Sequence, residues 1–298
     1  MPNNITLVEK MLPLVDEVYK SAAKSTILEA PAEFVRETAD ANTVKIAKLH
    51  MIGLGNYDKG TGFPAGDVTL EWETHQFTND RGRRFTVDRM DDVESFSLVS
   101  ARMVGEYLRT HVIPEIDAYR FSKIASASGV VDVEGTLDAT TVKKAVDTAI
   151  VDLQEKEIDT ERLVLFMTPT AAQLLSDNIA RSTSNGDRAI ENRIEMYNGI
   201  QIVRVPQTRL YKGITLDPGS SSNAGGYKKT DSTGADINFI LMDRGAAYNV
   251  TKLNVAKFIT PDQNQNKDAY QFDFRLYHDT FVLENKVKGI YVHHKAAA

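Results

Sequence analysis

Apolar positions along the chain change period several times, and each change marks an element. In "ITLVEKMLPLVDEVY" (5–19), Ile5, Val8, Met11, Val15, Val18 and Tyr19 recur at spacings of three and four. That is one stripe of a helix, which Pro13 must bend or divide. An isolated helix this short is marginal in water, so the stripe needs something to lie on. "STILEAPAEFVRETADANT" then reads as an irregular, mostly polar arm. "GDVTLEWETHQF" alternates strictly, with Val68, Leu70 and Trp72 on one face and Thr69, Glu71 and Glu73 on the other. "RRFTVDRM" alternates too, setting Phe85 and Val87 opposite Arg84, Thr86 and Asp88. "TVKIAKLHMIG" predicts a third strand whose apolar phase shifts between Ile46 and Leu49, as a bulge would cause. The intervening "GLGNYDKGTGFPAG" carries five glycines and predicts no regular structure. Residues 44–90 thus read as a long hairpin or small sheet with a mobile tip around Tyr57, Lys59 and Gly60.

From Glu94 the period becomes helical: Phe96, Val99, Met103 and Tyr107 line one face, with Leu108 and Val112 beside them. Pro114 and the acids after it are a helix-start signature, so either one long helix kinked at Pro114 or two nearly continuous helices fit. "GVVDVEGT" ends this stretch in a turn. Residues 138–157 predict the cleanest helix, with Val142, Ala145, Val146, Ala149, Ile150 and Leu153 on one side. The strand "RLVLFMT", the helix "PTAAQLLSDN" and the strand "GIQIVRVP" follow, an order that implies a sheet covered by helices. Residues 213–236 read as a Gly/Ser-rich surface loop, "INFILMD" as a return to the sheet, and "AYQFDFRLYHDTF" and "KGIYVHH" as closing strands. There is no internal repeat, and the class is α+β.

Composition narrows the function more than the fold. The 298 residues, 42% hydrophobic and 26% charged, are enough for one large domain or two modest ones of ordinary soluble character. A formal net charge of −6 weighs against a dedicated DNA-binding domain, which gains affinity by neutralising phosphates. With no cysteine, disulfides, zinc-thiolate sites and a thiol nucleophile are all excluded. Neither a signal peptide nor a membrane span is expected.

Candidate chemistry is sparse. Gly55 and Gly60 have the spacing of a phosphate loop, but Thr61 stands where the lysine belongs and no helix follows. Asp58 likewise occupies the third glycine position of the dinucleotide pattern begun by Gly53 and Gly55. No histidine has HExxH spacing, no GxSxG elbow exists, and His293–His294 read as a solvated tail. Hence no catalytic, cofactor or metal site is expected, and the chain is not read as an enzyme.

What stands out is "NDRGRRFTVDRMDDVESF" (79–96). Arg81, Arg83, Arg84 and Arg89 fall within nine positions, followed by Asp91, Asp92 and Glu94. A solvated strand face is the plain alternative. Nucleic acid is disfavoured by the acidic flank and by the lack of interleaved stacking aromatics. Arginine's planar fork suits carboxylates on another subunit as well as phosphate, and a glycine-tipped hairpin bearing both charges suits contacts between identical copies.

The order of parts resembles the major capsid protein of tailed bacteriophages, the Hong Kong 97-type fold, as found in phages and prophages of Gram-positive bacteria. The likeness spans most of the chain and is carried by "VDEVYK" with "ANTVKIAKL", by "GDVTLEWETHQFTNDRGRRFTVDRMDD" and by "VIPEIDAYRFSKIASASG". It implies an N-terminal arm (1–43) lying over neighbouring subunits and an extended loop (44–93) crossing the adjacent one. A peripheral domain (94–135) would contain a spine helix, about 94–127, with its kink at Pro114. An axial domain (136–248) and a return to the peripheral domain (249–298) would complete the chain. Arg81, Arg83, Arg84 and Arg89, with Asp91 and Asp92, would then meet a neighbour at the extended loop's returning strand and base.

The function implied is self-assembly into pentamers and hexamers of an icosahedral shell enclosing phage double-stranded DNA. The implied location is the virion capsid, assembled in the host bacterial cytoplasm. Because the chain starts almost directly at the arm, a separate scaffolding protein is expected beside a portal. Lys59 lies at the tip, but nothing marks a bonding partner, so no cross-link is expected. The alternative is an encapsulin-type nanocompartment, which shares this fold and holds cargo enzymes; the long N-terminal arm favours the capsid.

Overall fold

"LVLFM" has no polar position because it is buried on both faces. The structure, a computed structural model, describes residues 23–30, 35–37, 43–94, 104–178, 194–220 and 224–296. Its strands are β1 (Val35–Glu37), β2 (Thr43–Met51), β3 (Val68–Gln76), β4 (Asp80–Asp88), β5 (Val131–Glu134), β6 (Leu163–Met167), β7 (Met196–Tyr197) and β8 (Ile200–Arg204). They continue with β9 (Tyr211–Lys212), β10 (Ile214–Asp217), β11 (Gly226–Lys229), β12 (Ala235–Asp243), β13 (Ala247–Ile259), β14 (Ala269–Val282) and β15 (Ile290–His294). The helices are α1 (Arg89–Glu94), α2 (Ile113–Ala125), α3 (Val142–Glu155) and α4 (Pro169–Asn178).

The central sheet has seven strands, ordered β5-β15-β12-β6-β8-β7, with β9 pairing β12. Alternate residues of its inner strands face opposite layers. Val164, Phe166, Ile240, Met242, Ile290 and Val292 pack with Phe121 and Ile124 of α2 and with Leu28. Leu165, Met167, Phe239, Leu241 and Tyr291 pack with Val146, Ala149 and Leu153 of α3 and Leu175 of α4. The apolar stripe predicted over 138–157 is therefore the underside of α3. Its start is held by Asp138, whose carboxylate accepts the Thr140 and Thr141 N–H groups at 2.7 and 2.8 Å. Those bonds, led by the Thr140 hydroxyl, hold the Asp138 carboxyl down at about 2.

A second sheet, β13-β14-β4, lies apart from the first. Phe272, Phe274 and Leu276 of β14 pack there against Val104, Leu108, Val112, Ile113 and Ile116. The helical stretch carrying those residues is α-helical at 104–107, widens into a π turn at Leu108–Val112 and resumes as α2. Pro114 explains the wide turn. Its ring would crowd the carbonyl four residues back, and the Ile113 N–H reaches Leu108 O instead. The remainder of the expected spine helix, with Phe96, Val99 and Met103, and the stripe at 5–19 lie outside the described residues.

The structure departs from the sequence reading at seven points. Residues 213–236, read as a loop, contain the paired strands β10 and β11, and "GVVDVEGT", read as a turn, supplies β5. The β2–β3 hairpin takes β1 as its third strand, whereas β4 leaves it and pairs with β14 from Asp88↔Ala269 to Asp80↔Tyr277. The bulge expected between Ile46 and Leu49 is absent, since the β2–β3 register runs unbroken from Thr43↔Gln76 to Met51↔Val68. The phase change has another cause: Val44 and Ile46 face a small core with Phe77 and Phe281, while Leu49 and Met51 face outward from the other side. His293 and His294 are no solvated tail but buried positions of β15. That strand, expected among the returning peripheral strands, lies between β5 and β12 of the central sheet. Finally, residues 23–30, placed in an arm for neighbours, dock on their own chain, with Leu28 in the core.

Candidate assembly surface

Register decides which side of the hairpin each residue occupies, and here it gathers the apolar ones. Ala47 faces Trp72, Leu49 faces Leu70, and Met51 faces Val68, all on one side. Leu49, Met51, Val68 and Leu70 are 54–63% exposed, and Trp72 is 40% exposed. The opposite side pairs Lys48 with Glu71 and His50 with Thr69. Singly exposed apolar residues are ordinary, but here they form a contiguous stripe across two strands.

At the tip, Leu54 and Phe63 are almost fully exposed. The tip has local order of its own. The Asp58 carboxylate accepts the Gly60 and Thr61 N–H groups at 2.5 and 3.2 Å, and Tyr57 and Phe63 place their rings 4.9 Å apart. Those backbone bonds hold the Asp58 carboxyl below its usual range. Lys59 is exposed within this turn.

The arginines sit on β4 and at the start of α1, each with partners in its own chain. Arg81 grips Glu115 with Nε and Nη2 at 2.7 and 3.2 Å and donates to Asp217 O at 2.7 Å. Arg83 donates to the carbonyls of Ala224 and Gly219 at 3.1 and 3.5 Å. Gly219 has φ +72, and a Cβ there would stand 2.4 Å from the Arg83 guanidinium. Arg84, directly across from Asp273, binds it through Nε and Nη2 at 2.7 and 3.1 Å. Arg89 lies 3.4 Å from Asp268 and 3.7 Å from Asp262. Asp91 is exposed, and the Asp92 side chain lies outside the described residues.

The alternation read from the sequence holds: Arg84, Thr86 and Asp88 are exposed, while Arg83, Phe85 and Val87 are half-buried. What it missed is that Asp273 and Glu115, distant in sequence, take the arginines of this strand, and that Asp80 of the strand itself takes Arg275. Asp80 pairs with Arg275 at 2.6 and 3.0 Å, which holds its carboxyl low, as Arg84 does for Asp273. It also missed Gly82, where a Cβ would stand 2.8 Å from Phe274 O. Inside β4, a cleft of about 510 Å³ has a floor of Phe85, Tyr107 and Phe274 and a rim carrying Arg81, Arg83 and Glu115. Among the described residues, no group of three or more His, Asp or Glu could hold a metal ion. No described helix is long and apolar enough to cross a membrane.

No protein-family model matches the chain, and no curated protein matches it. Solved structures do. The capsid of cyanophage P-SCSP1u aligns with TM-score 0.61 at 13% identity, covering 88% of this chain and 86% of that chain. The mature capsid of bacteriophage PhiM1 gives 0.59 at 12% identity, covering 88% and 84%. A virus-like particle from Pyrococcus furiosus gives 0.50 at 12% identity, covering 96% and 99%. At such identities the shared feature is the fold. The chain has the mixed α and β fold of phage capsid proteins, the class that its sequence resembles.

Proposed function

We propose that the chain is a major capsid protein whose copies assemble into pentamers and hexamers of an icosahedral shell enclosing phage double-stranded DNA. The observation that carries this reading is the apolar stripe on the β2–β3 hairpin, which a single chain leaves in water and a second copy would cover. In this reading 1–43, 44–93, 94–135, 136–248 and 249–298 are arm, extended loop, peripheral domain, axial domain and return. The strand 290–294 is counted with the axial sheet. The cleft beside Arg83 is a seat for an apolar side chain of an adjoining copy, flanked by an acid. The net charge of −6 suits a wall that must not hold packed DNA tightly. A scaffolding protein and a portal are the expected partners, and the shell would form in the host cytoplasm.

The second reading is an encapsulin-type nanocompartment, with which the likeness to a virus-like particle is as compatible as it is with a capsid. Electron microscopy of the purified protein tests both. Closed shells of uniform diameter are expected. Particles recovered from the native source containing DNA favour the capsid, and particles containing protein cargo favour the compartment. A chain that stays monomeric at every concentration would overturn both.

Charge reversal tests the arginine strand. Arg84 is 65% exposed in its pair with Asp273, so the fold depends little on that pair. Arg83→Glu with Arg84→Glu also loses the bonds of half-buried Arg83 to the carbonyls of Gly219 and Ala224, so a folded monomer with a Tm several degrees lower is expected, while assembly is lost. Wild-type assembly should also weaken with salt, because exposed charges are screened beyond ~10 Å at 0.1 M. Normal empty shells from the double variant, with only DNA retention impaired, would reassign these arginines to nucleic acid.

A further inference from the structure

Residues 23–30 are held on their own chain largely by one carboxylate. Asp117, on α2 and 0% exposed, accepts Lys24 N–H at 3.0 Å and Arg209 Nη1 at 3.1 Å on Oδ2. On Oδ1 it accepts Ser25 N–H at 3.1 Å and the Ser25 hydroxyl at 2.7 Å. A carboxylate offers about four lone-pair positions, so Asp117 is saturated. Arg120 stands three residues further along the same helix and is also 0% exposed. Its Nη1 donates to Ser25 Oγ at 3.0 Å, but Nε and Nη2, the edge that pairs with a carboxylate, have no partner. Side chains three apart on a helix are neighbours. The Ser25 hydroxyl is thus wedged between an acid and a base that could otherwise pair directly.

We propose that residues 23–30 form a releasable strap, with Asp117 and Arg120 as a two-state latch beneath it. Docked, the strap buries Leu28, and Asn249 binds it twice, donating to Ser25 O at 2.8 Å and accepting Ala30 N–H at 3.1 Å. Against this stands the buried guanidinium edge left without an acceptor. Released, the strap takes three donors away from Asp117, which keeps Arg209 and turns its freed oxygens to the fork of Arg120. Neither buried charge is then stranded, and so undocking is easier than withdrawing an ordinary core segment. The freed strap would be available to a second copy of the chain. That use rests on the shell reading; the latch itself does not.

Hydrogen exchange by mass spectrometry on the unassembled full-length chain, followed at the amides of 24–30, tests the latch. Ser25→Ala removes the wedge's two bonds from the docked state, where Lys24 N–H, Ser25 N–H and Arg209 still fill three of the four positions on Asp117 and keep the fork of Arg120 off, and should speed exchange there about tenfold, a factor that corresponds to about 1.4 kcal/mol. Arg120→Met takes one bond to Ser25 Oγ from the docked state, but it also removes that state's unpaired edge and the released state's new ion pair, so exchange in the same segment should slow on balance. A purely structural Arg120 predicts the opposite sign. Faster exchange in Arg120→Met, or an unchanged rate in Ser25→Ala, would overturn the latch. Should Arg120→Met not fold, Arg120→Lys, which keeps the charge and removes the unpaired edge, is read by the same signs. Since the measurement uses unassembled chains, a failure of the shell reading would leave its outcome intact.

Discussion

Val68→Asp with Leu70→Asp is expected to abolish assembly while leaving the monomer's Tm almost unchanged. Both side chains are more than half exposed on the outward face of β3, so neither leaves a cavity behind. Surface substitutions of this kind usually stay within about 0.5 kcal/mol, or roughly 1–2 °C in Tm at this chain length. Covered by a second copy, each apolar residue would contribute about 1–2 kcal/mol at 25 cal/mol per Å². A carboxylate in its place would be buried unpaired, a penalty of several kcal/mol at every hairpin in the shell. The companion change Lys48→Ala, on the opposite side of the same hairpin, should assemble. Circular dichroism melts and negative-stain micrographs of the three proteins check this. Normal shells from the double variant would remove the hairpin stripe from the interface.

Acid should destabilise the fold from about pH 6.5 downward. Burial beneath α2, helped by the charge of Arg120, pushes the His278 ring down to about 3. Its Nε2 lies 3.0 Å from the Asn79 amide nitrogen, a contact suited to the neutral ring. A folded pKa below the unfolded value of about 6.5 means that the unfolded chain takes up the proton first. The stability this contributes is complete above about pH 6.5 and is lost as pH falls towards 3. At about 1.4 kcal/mol per pH unit, the loss between pH 7 and pH 4.5 is on the order of 2–3 kcal/mol. Burial lowers His293 as well, with the charge of His294 acting in the same sense, so both rings pull in one direction. Asp80 and Asp273, held low by their arginines, lose their contribution only at lower pH. Urea denaturation of the unassembled chain across this range should show the slope. His278→Phe should be less stable at pH 7 but flatter between pH 6.5 and 4.5. An unaltered slope in that variant would show that the acid sensitivity has another source.

How far each element was legible from the residues follows from the range of the forces that form it. Local period sufficed for α3, whose stripe at Val142, Val146, Ala149, Ile150 and Leu153 is the face found buried. It sufficed for β6, whose unbroken apolar run requires cover on both sides. The outward face of Arg84, Thr86 and Asp88 was likewise legible, because strand pleat is a property of the strand alone. The capsid resemblance carried by 66–92 and 112–129 agrees with the fold found by structural likeness.

Period names a face but not a partner, and there tertiary structure decided. Nothing within "DRGRRFTVD" distinguishes pairing with β3, its neighbour in sequence, from pairing with β14, nearly 200 residues on; the distant match Arg84↔Asp273 and the close approach at Gly82 select β14. Val44 and Leu49 belong to one strand, yet only packing against Phe77 and Phe281 makes the first interior and the second exposed. His293 and His294 look like a polar ending until β5 and β12 close over them from either side. Ser25 reads as one more polar arm residue, and it acquires a role only where Asp117, Arg120 and Asn249 converge on it. Each of these outcomes depends on contacts between residues far apart in the chain, formed when loop-closure entropy is repaid by burial and hydrogen bonding, and no local pattern records which distant partner will repay it.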